Sequence, residues 1–142
     1  GERERIVAEI ERLGLQSRVL LAGMVSPVAA LLARADLVVM PSSYEPLGMS
    51  QIEALGLGVP VVVSRTGGIP ETVRDGETGL LVAPGDIDAW ARALDQALSD
   101  PERMRRMAQA GRTDVRARFA PEHNLQSILE LAGLSSPSQG QT

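Results

Sequence analysis

The chain contains no cysteine. That removes disulfides, thiolate metal sites and cysteine nucleophiles, and it fits a reducing compartment, with the cytoplasm as the default location. Lysine is also missing: all 14 basic residues are arginine, so a step that needs a lysine amine must draw it from another segment or chain. Histidine occurs once, as His123, next to Pro121 and Glu122 near a helix start, and it reads as structural or exposed. No apolar run approaches the ~20 residues that span a bilayer, and residues 1–5 do not resemble a secretion signal. The formal net charge is −4, without the concentrated basic face that a phosphate-backbone binder carries, so nucleic acid is not an expected partner. These features leave peripheral membrane contact open.

What remains is enough for one core: 142 residues, 44% of them hydrophobic, fall in the usual range for a single domain. Ile6, Ile10 and Leu13 recur at helical spacing before Gly14, predicting an amphipathic helix over residues 2–13. Val19, Leu20, Leu21 and Ala22 predict a strand, and Ser26-Pro27 opens a second helix reaching about Ala35. Residues 36–41 read as a buried strand closed by Pro41, and residues 60–64 and 79–82 repeat that character. Short helices are expected over residues 48–57 and 69–74, followed by helices over 89–98, 102–119 and 121–131. Strands alternating with helices predict an α/β fold with a parallel sheet of about four strands, covered on both faces. Residues 1–133 form the expected domain, and residues 134–142 a disordered polar tail. The arginines of residues 103–118 alternate with Met104, Met107, Ala108 and Val115, which favours a solvated helix face over a membrane or nucleic-acid patch. Trp90 and Phe119 read as packing residues.

The chemistry concentrates in residues 41–68, P-S-S-Y-E-P-L-G-M-S-Q-I-E-A-L-G-L-G-V-P-V-V-V-S-R-T-G-G. A strand ends at Pro41, a loop carries Glu45, and a helix starts near Gly48 and stops at Gly58, because Val59-Pro60 cannot extend it. The free amides of Gly48, Met49 and Ser50 would face the carboxyl edge of the sheet, where the helix dipole favours an anion. Ligands of open α/β sheets bind at that edge. Glu45 and Glu53 bracket the anion position at ~12 Å or less, from a rise of about 1.5 Å per residue. That separation suits a nucleotide sugar, with the diphosphate at the amides and a carboxylate accepting from paired hydroxyls at each end. From spacing alone, two surface glutamates flanking an ordinary helix is an equal reading.

With the flanking stretch I-P-E-T-V and the later D-G-E-T-G-L-L-V-A-P-G-D, this segment resembles the donor-site half of family-4 glycosyltransferases of the GT-B type, a similarity extending over roughly residues 2–131. Such enzymes transfer a sugar from a nucleoside diphosphate donor with retention of configuration. The resemblance implies that Glu45, in the catalytic position, contacts the donor sugar. It also implies that the amides of Leu47, Gly48, Met49 and Ser50 hold sugar and phosphate oxygens, and that Glu53 binds the ribose. Val25 resembles the position where backbone holds the base, although a plain loop fits its composition equally. Gly67 and Gly68 either bring backbone close to the donor or form a tight turn, and Arg65 is either a phosphate contact or a solvated arginine. No metal or other cofactor is implied; the nucleotide sugar is a substrate.

The departures from the pattern are as informative. The resemblance implies an N-terminal acceptor domain, or a partner chain, outside these residues. It also implies two earlier βα units, the first bearing an Arg and a Lys for the diphosphate. By the doubly wound order 3-2-1-4-5-6, the Val19 strand would be the third and the Val38 strand the fourth, with two empty positions between them. The isolated residues are therefore expected to be inactive, with the Val19 and Val38 strands collapsing together or the chain associating with itself. A non-catalytic module completed by a partner chain, and a nucleotide-sugar epimerase of the same architecture, remain alternatives.

Overall fold

In the computed structural model the described residues are 1–119. Residues 1–119 run in the order α1 (Glu2–Arg12), α2 (Val28–Leu32), β1 (Val38–Met40), α3 (Met49–Leu57), β2 (Val61–Ser64), α4 (Ile69–Thr72), β3 (Leu80–Val82), α5 (Ile87–Ser99) and α6 (Pro101–Phe119). The three strands form one parallel sheet in the order β1-β2-β3, with Val38 beside Val61 and Val62 beside Leu80. This is the α/β architecture expected, and the adjacency of these strands matches the last three places of the doubly wound order.

Burial explains the element types. Val61, Val62 and Val63 are wholly buried, as the central strand of a parallel sheet must be when helices cover both its faces. Alternation along β2 sends Val61 and Val63 into a cluster with Ala54, Leu55, Ile69, Val73 and Val115, and Val62 into one with Leu80, Val82, Ala97, Met104 and Met107. Trp90 packs against the second cluster and Phe119 against the first. Helix α3 stops at Gly58, which adopts the left-handed φ of 79°, and Asp86 starts α5 by accepting from the Ala89 amide at 2.8 Å, a side-chain cap. Along α6, Met104, Met107, Ala108 and Val115 turn inward, so the arginine-rich stretch is a solvated helix face as expected.

A polar latch joins α6 to α4. Asp114 accepts from Arg74 at 2.7 Å and from Arg118 at 3.0 Å, while Arg118 also donates to the Glu71 carbonyl at 2.5 Å. Burial pushes the Asp114 carboxyl up, but the hydrogen bonds from Arg74 and Arg118 outweigh it and hold the group below the ordinary carboxylate range.

The expected strand at Val19 is not formed, and the described residues hold three strands where about four were expected. Residues 19–23 are irregular and, among the described residues, pair with no strand. An apolar run becomes a strand only when a neighbour completes its ladder, and β1 pairs with β2 alone. The Val19 segment does not collapse onto β1 either. Leu20 is 87% exposed and Met24 100% exposed, and Val19, Leu21, Val25, Val28, Leu31 and Val39 are exposed as well. Helix 121–131, His123 and the 134–142 tail lie outside the described residues. Among the described residues no helix is long and apolar enough to cross a membrane.

An open strand edge beside a run of exposed apolar side chains is an association surface. The 142-residue chain by itself is therefore expected to form species larger than a monomer, in a concentration-dependent manner, by light scattering. A monodisperse monomer up to the solubility limit would contradict this.

Candidate functional site

The site is built where β1 and β2 release the chain at their carboxyl ends. After Met40 the chain runs through Glu45 to Gly48, which starts α3 with φ of 79° and ψ of 90°. No side chain caps this helix, so its first-turn amides keep their hydrogens for another partner, and the helix dipole adds positive potential. Tyr44, Leu47 and Met49 are exposed around this opening. Glu45 is half-buried ahead of the helix and Glu53 is exposed on its second turn. Among the described residues neither carboxylate takes part in an ion pair. Two free carboxylates therefore flank one row of free amides.

The loop after β2 holds this arrangement in place. The Gly68 amide donates to the Glu45 carbonyl at 3.2 Å and the Pro46 carbonyl at 2.9 Å, and the Thr66 hydroxyl donates to the Ser43 carbonyl at 3.3 Å. The approach requires glycine. A β-carbon on Gly67 would fall 2.8 Å from the Glu45 carbonyl carbon and closer still to its oxygen. One on Gly68 would fall 3.2 Å from the Pro46 carbonyl carbon. Gly67 and Gly68 form the tight turn of the second reading, closed by the Ile69 amide donating to the Thr66 carbonyl at 3.1 Å, and their close approach is to the Glu45–Pro46 backbone.

The structure gathers Glu45, Leu47, Gly48, Met49, Ser50, Glu53, Gly67 and Gly68 into two adjoining loops and one helix end. Val25 stands apart: it is 38% exposed in the irregular stretch before α2, and no described hydrogen bond ties it to these loops. Arg65 is an exposed arginine at the end of β2, the solvated reading of the two. It is paired with Asp75, whose other oxygen accepts from the Leu81 amide at 2.9 Å. One residue of this cluster escaped the sequence reading. Gln51, on the inner side of α3, is wholly buried and donates to the Leu47 carbonyl at 2.7 Å and the Thr72 hydroxyl at 3.0 Å.

The family model for glycosyl transferases group 1 matches residues 1–114. The chain belongs to that family. Among the proteins similar to it, the lipopolysaccharide core biosynthesis glycosyltransferase LpsE of Rhizobium meliloti is 36% identical over 130 residues, covering 92% of this chain and 38% of the relative. The sucrose-phosphate synthase of Thermosynechococcus elongatus superposes with a TM-score of 0.83 at 37% identity, covering 94% of this chain and 35% of that structure. Anabaena HepE, solved in complex with UDP, superposes with a TM-score of 0.88 at 30% identity, covering 92% of this chain and 36% of the other. The chain therefore spans little more than a third of the length of these proteins, and its residues form a Rossmann-like part of the fold.

Proposed function

We propose that this chain is the donor-binding part of a retaining glycosyltransferase that takes its sugar from a nucleoside diphosphate. The observation that carries this reading is the uncapped amino end of α3, set between two carboxylates that no described residue neutralises. Amides and dipole suit the diphosphate. Glu45, on the loop before the helix, takes the donor sugar; the amides of Leu47, Gly48, Met49 and Ser50 take sugar and phosphate oxygens; Glu53 takes the two ribose hydroxyls. Gly67 and Gly68 serve the donor indirectly, by fixing the Glu45 loop, and Val25 meets the base through its backbone. The HepE structures in complex with UDP and with UDP-glucose support a uridine nucleotide as the first donor to try.

As the sugar–phosphate bond breaks, negative charge grows on the departing diphosphate, and preorganised donors aimed at it lower the barrier. The α3 amides provide part of that. The remaining positive charge comes from outside these residues, since the chain has no lysine and Arg65 is committed to Asp75. The acceptor is likewise assigned to a further domain or partner chain. We assign the protein to the cytoplasm and give the reaction no metal cofactor.

The ribose end gives the test. In a full-length protein carrying this chain, Glu53→Ala removes an acceptor of two hydrogen bonds to a charged group, about 1.5–3 kcal/mol. Calorimetry should show affinity for the free nucleoside diphosphate falling at least about tenfold. Unchanged affinity would remove the ribose from Glu53.

A further inference from the structure

Gln51 lies two residues before Glu53 on the same helix, yet it turns into the protein and is wholly buried. Both hydrogens of its amide nitrogen are used, one by the Leu47 carbonyl at 2.7 Å and one by the Thr72 hydroxyl at 3.0 Å. The Thr72 hydroxyl, itself buried, donates to the Ile69 carbonyl at 2.9 Å and so offers Gln51 only a lone pair. This chain of bonds fixes which end of the amide is nitrogen. Among the described residues the Oε1 atom is left without a partner. It faces Gly48, where a β-carbon would fall 2.7 Å from the Gln51 amide carbon.

A buried acceptor left unsatisfied is costly, and an apolar side chain of the same length would fill the space without that cost. The amide therefore serves something other than packing. We infer that Gln51 is a positioning residue for the donor site: through Thr72 it locks the backbone of Leu47 and Gly48 to α4. The inference rests on the donor reading of that backbone. The same loop has a second tie on its outer side, the Gly68 amide to the Glu45 and Pro46 carbonyls. Without Gln51 that outer tie persists and the loop still forms, but the first-turn amides lose their fixed aim. Amides that must meet charge developing during reaction lose most from such loosening. Glu53, carried by the helix rather than the loop, keeps its place.

The test uses a full-length protein carrying this chain, with UDP-glucose as donor and UDP as the bound nucleotide. Gln51→Met keeps length and removes both hydrogen bonds; Thr72→Val removes the far partner, and Thr72→Ser restores a hydroxyl. Gln51→Met and Thr72→Val should each lower kcat on the order of tenfold, weaken UDP binding by clearly less, because the amides gain most where charge develops, and speed amide hydrogen exchange in residues 45–50. Thr72→Ser should behave as the parent. If Gln51→Met does not fold, the Thr72 pair decides alone. Parental kcat in the folded variants, equal losses of kcat and UDP affinity, or Thr72→Ser as impaired as Thr72→Val would overturn the inference. A parent that neither binds UDP nor turns over UDP-glucose removes the uridine donor. Hydrogen exchange then still judges the lock, and unchanged exchange in residues 45–50 of Gln51→Met overturns it.

Discussion

Gly67→Ala is expected to lower the melting temperature by about 10 °C and to abolish donor turnover in a full-length protein. Two costs add at this position. Gly67 has a φ of 51°, a left-handed conformation that costs an alanine about 1 kcal/mol. The new β-carbon would also collide with the Glu45 carbonyl, and forcing atoms into a packed contact costs roughly 1–3 kcal/mol. A total near 3 kcal/mol, at about 2–4 °C per kcal/mol for a chain of this size, gives the stated shift. Gly76 supplies the control: its φ is 76° with nothing within 4 Å of an added β-carbon, so Gly76→Ala bears the conformational cost alone. The difference between the two variants in a thermal melt isolates the collision. If both lose the same few degrees, the Gly67–Glu45 contact does not hold the loop.

That contact also marks the limit of what the sequence conveyed. Two consecutive glycines announce a close approach or a turn, but nothing local names the backbone being approached, since Glu45 lies more than 20 residues earlier. Helices and strands were legible because their causes are local: a continuous apolar, β-branched run at Val61–Ser64 and a glycine stop at Gly58. The Val19 run failed for the same reason. Its residues carry the demand for burial, but a ladder needs a partner, and among the described residues no strand pairs with it. Glu45 and Glu53 could be placed about a helix start from the sequence, but their spacing alone fitted two surface glutamates equally, and the roles given to them came from the family resemblance. Gln51 could not be singled out, because a polar residue in the first turn of a helix reads as solvated unless its buried partner is known. The one available signal was Thr72, a hydroxyl between the apolar Ile69 and Val73, which becomes a buried hydrogen-bond partner once α4 packs against α3.

Glu45→Gln in a full-length protein is expected to lower turnover of the intact nucleotide sugar on the order of 100-fold. Free nucleoside diphosphate should bind within about twofold of the parent. The substitution keeps shape and removes charge. A hydrogen bond to a charged acceptor contributes about 1.5–3 kcal/mol, so two sugar hydroxyls losing a carboxylate account for a loss near 2.7 kcal/mol, which is about 100-fold in rate. The nucleotide is spared by geometry. Glu45 sits on the loop before α3 and Glu53 on its second turn, so in the proposed site the two carboxylates would address opposite ends of a ligand whose diphosphate would lie at the amides between them. The loop should stay in place as well, because its ties to Gly68 use the Glu45 and Pro46 backbone and not the side chain. Turnover assays beside calorimetry with the free nucleotide decide the matter: equal losses in both would mean that Glu45 serves the nucleotide, and parental turnover would mean that the sugar lies elsewhere.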